Sequence, residues 1–122
     1  MERALHTRLK EGAEEAYDRL HQRIPGDLVV AMREAGVREW RIWRNGRDVF
    51  HLVDVEDYAA MRAHLRDHPA NVAWQAQVTP LQSVVDDYSG TDDGLPFVWS
   101  LSTQWSEAQR SEAQQSGSTG SG

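Results

Sequence analysis

The stretch "VREWRIWRNGRDVFHLVDVE", Val37 to Glu56, decides the fold. Two runs rich in β-branched and aromatic residues flank Asn45-Gly46, a dipeptide that tolerates the positive φ angles of a tight hairpin turn. In the first arm, strict alternation sets Val37, Glu39, Arg41 and Trp43 on one face and Arg38, Trp40, Ile42 and Arg44 on the other. Trp40 and Ile42 therefore share a face that Trp43 does not.

Working outward, "RALHTRL" upstream alternates as a strand, and "KEG" reads as a turn. "AEEAYDRLHQRI" reads as a helix stopped by Pro25 and Gly26. Asp27 is placed to cap a second helical stretch, "LVVAMREA", which ends at Gly36. Downstream of the hairpin, Asp57 caps a helix carrying Tyr58, Met61 and Leu65, and Asp67-His68-Pro69 interrupts it. "ANVAWQAQVTPLQ" is a further helix bearing Val72, Trp74 and Val78. "SVVDDYSG" reads as a strand, "TDDGLP" as a loop and "FVWSLS" as a last short strand. The order β-α-β-β-α-β is the ferredoxin-like pattern of an α+β fold. Such a sheet carries both helices on one face. The apolar hairpin residues then leave its other face in need of cover, and a second copy of the chain is the simplest cover.

Composition narrows the chemistry. The 122 residues suit one domain, read as residues 1–104 followed by a structureless tail, 105–122. With no cysteine, the chain has no disulfide, zinc–thiolate site, iron–sulfur cluster or thiol nucleophile. The net charge of −6 with no basic block argues against nucleic acid. No apolar run approaches the ~20 residues of a membrane span, and "MERALHTRLKEG" lacks an apolar signal segment, so the expected location is the cytoplasm. Five tryptophans fall between residues 40 and 105. Trp99 reads as core, and several of the others can serve as flat apolar walls for a ligand.

Tyr17 and His21, four residues apart, leave one face of the first helix with Cβ atoms roughly 5–6 Å apart. They are either a phenol and an imidazole handling protons or two packed aromatics. The ordered set "LKEGAEEAYDRLH", a following "IP", "MREAGVREWRIW", "FHLVDVEDY" and "HPANVAWQ" resembles the L-rhamnose mutarotase family over about Arg3 to Ser102. The resemblance implies a dimeric α/β barrel, a homodimeric isomerase that interconverts the anomers of a 6-deoxy-hexose such as L-rhamnose or L-fucose. It implies that His21 is the acid/base and that Tyr17, Trp40 and Trp74 bind the sugar. Trp40 stands where the family carries a tyrosine. Ala73 replaces the first residue of a Trp-Trp pair, which bears on the width of the pocket.

Mutarotation opens and recloses a hemiacetal, so one group must give and take a proton near neutral pH, and histidine suits that task. It calls for no metal and no cofactor. The remaining histidines, His6, His51, His64 and His68, form no HExxH set. His64 and His68 are spaced for one helix face, but Pro69 interrupts it, and both read as solvent-exposed. His6 and His51, on neighbouring strands, are candidates to face the interior and touch substrate. Asp86 and Asp87 read as a solvated strand end, with one of them a candidate to orient His21. Two other classes share the fold and stay open: cofactor-free monooxygenases or cyclases of biosynthesis, and small-ligand-binding domains.

Overall fold

The computed structural model of the chain describes residues 1–89 and 93–119, with side chains as far as residue 112. Its elements in order are β1 (Glu2–Leu9), α1 (Glu14–Leu20), α2 (Gly26–Glu34), β2 (Val37–Asn45), β3 (Asp48–Val55), α3 (Tyr58–Arg66) and α4 (Pro69–Val78). A single 3₁₀ turn (Thr79–Leu81), β4 (Gln82–Val84) and α5 (Leu101–Thr119) follow. The strands lie in the order β2-β3-β1-β4, every neighbouring pair antiparallel. That is the ferredoxin-like α+β arrangement the β-α-β-β-α-β pattern calls for. Among the described residues no helix is long and apolar enough to cross a membrane.

The sheet has two unlike faces. Leu5, Leu9, Val49, Val53 and Val55 are at most 2% exposed beneath α2, α3 and α4. Burying a side chain of that size contributes roughly 1.5–3 kcal/mol, so these five positions anchor the sheet to the helices. Ala4, His6, Trp43, Phe50 and Leu52 point the opposite way, and Trp43 and Phe50 remain about half exposed.

The hairpin forms with two changes of detail. Asn45 pairs with Asp48, so the two turn residues are Gly46 and Arg47, and only Gly46 has positive φ (60°). Glycine at the first central position suits a type II′ turn, which follows the twist of the strands. A bulge between Val37 and Glu39 shifts the register against β3. Val37 thereby turns to the buried face beside Trp40, whereas strict alternation had grouped it with Trp43. An extra residue in one strand flips the facing of everything beyond it.

Other boundaries also differ from the sequence reading. α1 ends at Leu20, and His21 is its C-cap. Asp27 lies inside the first turn of α2, where its Oδ1 accepts from the Leu28 N–H (2.9 Å), and Pro25 is the N-cap. Asp57 does cap α3, its Oδ1 accepting from the Ala60 N–H at 3.0 Å. "FVWSLS" forms no strand. Leu95 N–H donates to the Ala4 carbonyl (2.7 Å), and the chain then leaves the sheet, with Trp99 59% exposed rather than buried. Gly94, at φ +88°, makes that approach possible, because a Cβ there would lie 2.9 Å from the Ala4 oxygen. The expected structureless tail runs instead in α5 as far as Thr119, while residues 120–122 and part of the loop read at 91–96 lie outside the described residues. Ala, Gln, Glu and Arg are good helix formers, and the Ser100 hydroxyl accepts from the Thr103 N–H at its start (3.4 Å).

Candidate active site

A cleft opens between the buried face of the hairpin, the end of α1, α2, α4 and the segment after β4. Tyr17, His21, Trp40 and Trp74 all line it, so the four residues marked in the sequence come together. The Tyr17 and His21 rings are stacked with centroids 3.9 Å apart, and the Trp74 ring meets His21 edge-on at 5.0 Å. Three aromatic rings thus form one wall. At its rim Arg44 donates to both carboxylate oxygens of Asp18 (2.9 and 2.6 Å), tying β2 to α1 across the mouth. That hydrogen bond to Arg44 holds the Asp18 carboxyl below its ordinary range.

His21 owes its orientation to the helix end. The last carbonyls of a helix lack intrahelical partners. The Tyr17 carbonyl accepts from the His21 backbone N–H (3.1 Å) and also from its Nδ1 (2.9 Å). A carbonyl only accepts, so Nδ1 carries the ring proton and Nε2 holds the lone pair. Nε2 has no hydrogen-bond partner among the described residues. Burial lowers the His21 pKa below 6.5, with the Tyr17 carbonyl and the Asp18 charge pulling back the other way. The imidazole is therefore neutral at neutral pH, a base with one free nitrogen. Tyr17 is 3% exposed, and burial, then Asp18 and Asp86, raises its pKa, so the phenol keeps its proton. Its hydroxyl is buried and has no partner among the described residues.

His51 faces the cleft and His6 does not, because the two occupy opposite faces of paired strands. His6 Nε2 instead lies 2.9 Å from the Asp48 carboxylate on the outer face. Around His51 the tautomer follows from its partners. The Trp40 indole can only donate, so Nδ1 accepts from Trp40 Nε1 (3.1 Å), and Nε2–H donates to the Thr7 hydroxyl (3.1 Å). His51 is 7% exposed, and burial, followed by the neighbouring His21 and His6, pushes its pKa down to about 4. Both nitrogens are occupied, so His51 holds Trp40 in place and carries no mobile proton.

The far end of the cleft corrects the reading of Asp86. It is not a solvated strand end: its side chain is 9% exposed, and Arg62 Nη1 donates to its Oδ1 at 2.7 Å. The same guanidinium donates to the Asp87 carbonyl (2.6 Å) and lies over the Tyr88 ring at 3.8 Å. Asp86 pairs with Arg62, and the Nδ1 of His21 is committed to the Tyr17 carbonyl. Asp87 is exposed and accepts from the Ser89 backbone and hydroxyl.

Asn71, Gln75 and Gln82 also line the cleft, and sequence reasoning passed over them. Asn71, Trp74, Gln75 and Val78 follow the i, i+3, i+4, i+7 spacing of one helix face, which was the available signal. Ala73 falls off that face, is exposed and lies outside the cleft, so its small size does not widen the pocket. Val72 is likewise exposed. Away from the cleft, Glu34, His64 and His68 bring ligand atoms within 4.8 Å of one another. His68 Nδ1 caps α4 by accepting from the Ala70 N–H (3.1 Å), which leaves the ring proton on Nε2 and sets capping against ligation.

The model of the L-rhamnose mutarotase family matches residues 2–101. Among solved structures, an L-rhamnose mutarotase from Formosa agariphila superposes with a TM-score of 0.66 at 19% identity, covering 83% of this chain and 98% of its own. The tetracenomycin F2 cyclase of Streptomyces glaucescens, a type-II polyketide cyclase, gives 0.55 at 17% identity, covering 82% and 97%. At such identities both likenesses speak for the fold. No curated protein sequence matches the chain. The family match runs from β1 into the start of α5 and takes in every residue of the cleft: this chain belongs to the L-rhamnose mutarotase family.

Proposed function

We propose that the protein interconverts the α and β anomers of L-rhamnose, and of L-fucose as a second 6-deoxy-hexose, with His21 as acid and base. The observation that carries this reading is the commitment of His21 Nδ1–H to the Tyr17 carbonyl, which leaves Nε2, with its lone pair, as the nitrogen free to take a proton. Nε2 takes the proton from the anomeric hydroxyl as the O1–H bonding pair becomes the C1=O1 π bond and the ring C1–O bond breaks with its electron pair on the ring oxygen. The imidazolium then returns that proton to the former ring oxygen. Rotation about C1–C2 and the reverse steps give the other anomer. One group that both takes and returns the proton serves both directions. Tyr17 donates its phenolic O–H to a sugar hydroxyl, and the Trp74 and Trp40 rings pack on the C–H faces of the sugar.

A homodimer completes this reading. Trp43, Phe50 and Val84 are 42–54% exposed, and apolar area of that kind marks an interface. Two sheets packed face to face would cover it. The deciding experiment is NMR saturation transfer between the anomeric protons of L-rhamnose and L-fucose. Exchange above the buffer rate in the wild type, lost in His21→Ala with the fold retained, is the expected result. Equal rates with and without the protein overturn the reading, and turnover of an aromatic polyketide in place of sugars would favour the cyclase class.

A further inference from the structure

The cleft contains a buried relay that the reaction does not consume. Thr7 is 1% exposed and His51 7%, and they end in Trp40 through two hydrogen bonds of 3.1 Å each. A polar chain placed in a core of valines and leucines is costly unless every member is satisfied. Here each polar side-chain atom has a partner: the Thr7 oxygen accepts from Nε2–H, His51 bridges, and the Trp40 N–H is spent on Nδ1. The cost is met by fixing one aromatic ring.

The consequence lies on the sugar side. Trp40 stands beside Ile42 on β2 and packs near Met32, and Ile24 completes the same stretch of lining. An indole whose N–H is bonded to His51 Nδ1 offers only carbon to a ligand. Trp40, Ile42, Met32 and Ile24 themselves therefore offer the cleft no free side-chain donor or oxygen acceptor, while Tyr17, His21, Asn71 and Gln75 line the same cleft with polar atoms, and the charges of Asp18 and Arg44 lie at the rim beside Trp40 and Ile42. A ligand that fits such a cleft must itself carry one deoxygenated edge.

We infer that the Thr7–His51–Trp40 relay is a specificity element, with His51 the positioning residue that turns the carbon surface of Trp40 toward the C6 methyl of a 6-deoxy-hexose. This rests on the mutarotase reading and adds to it the source of discrimination against the 6-hydroxy counterpart. A hydroxyl pressed on this wall loses its water and gains no partner. An apolar pocket rejects an isostere bearing one extra hydroxyl by up to about 10²-fold.

The test compares catalysed anomer exchange of L-rhamnose with that of L-mannose, which differs only by the C6 hydroxyl. The wild type is expected to favour L-rhamnose by roughly 10- to 100-fold in exchange rate at equal subsaturating concentration. In His51→Leu the indole N–H faces hydrocarbon and is driven to turn toward the cleft, so the preference falls several-fold. His51→Gln, which restores an acceptor, keeps it. Trp40→Phe keeps a ring without any N–H and must also keep the preference, which covers the case in which His51→Leu does not fold. A direct readout is the Trp40 indole N–H resonance, assigned by its loss in Trp40→Phe: slow solvent exchange in the wild type and faster exchange in His51→Leu. If the wild type exchanges both sugars alike, or His51→Leu or Trp40→Phe behaves otherwise, the relay is not the specificity element, although the mutarotase reading stands. No exchange of either sugar would overturn both.

Discussion

Replacing His51 by Gln should flatten the acid sensitivity of this fold. In the folded chain the His51 pKa lies at about 4, against an ordinary value of 6.5, because its ring is buried and both nitrogens are engaged as a neutral imidazole. The unfolded chain thus binds this proton first. Above pH 6.5 neither state is protonated and His51 costs nothing. Below it the unfolded state gains the proton alone, and the penalty grows until the folded pKa is passed. With 1.36 kcal/mol per pKa unit, the loss is about 2 kcal/mol by pH 5 and about 3 kcal/mol by pH 4. For a domain whose total stability is of order 5–15 kcal/mol, that is a large fraction. The assay is urea unfolding of wild type and His51→Gln at pH 7, 6, 5 and 4. The difference between the two proteins removes carboxylates that titrate in both. At pH 7 the wild type is expected to be the more stable, and its advantage should shrink by about 2 kcal/mol at pH 5. An advantage that stays constant from pH 7 to pH 5 would refute the buried, doubly bonded imidazole.

Three further outcomes follow from the same geometry. Catalysed anomer exchange should fall as pH drops through the His21 pKa, which burial holds below 6.5, so a rate already halved at pH 6.5 or above would contradict the neutral-base assignment. Tyr17→Phe removes a buried hydroxyl with no partner and should leave stability unchanged or raised in urea, while the half-saturating sugar concentration rises about 2- to 10-fold for a lost hydrogen bond of 0.5–1.5 kcal/mol. Arg62→Leu strips Asp86 of its cationic partner in a pair whose side chains are 7% and 9% exposed, with an expected loss of roughly 3–5 kcal/mol in chemical denaturation; a loss under 1 kcal/mol would place that pair in solvent.

The sequence by itself determined the order of elements from β1 to β4, the hairpin, and the pairing of Tyr17 with His21. These are local: a period of two against a period of 3.6, a glycine turn and a four-residue spacing act within a few residues of one another. It also separated the Trp40 and Ile42 face from that of Trp43. The tertiary structure decided the rest. The bulge at Val37 depends on pairing with β3, so it set which face Val37 joins. His51 and Thr7 lie 44 residues apart in the chain, and no spacing rule connects them. The Arg62–Asp86 pair spans 24 residues and required the segment after β4 to fold back on α3. The end of α1 at Leu20, four residues ahead of Ile24-Pro25, made His21 a helix cap with one nitrogen committed. Spacing put the two rings on one face, but which nitrogen is free was fixed by the Tyr17 carbonyl, which accepts from both the backbone N–H and the Nδ1 of the helix-capping His21.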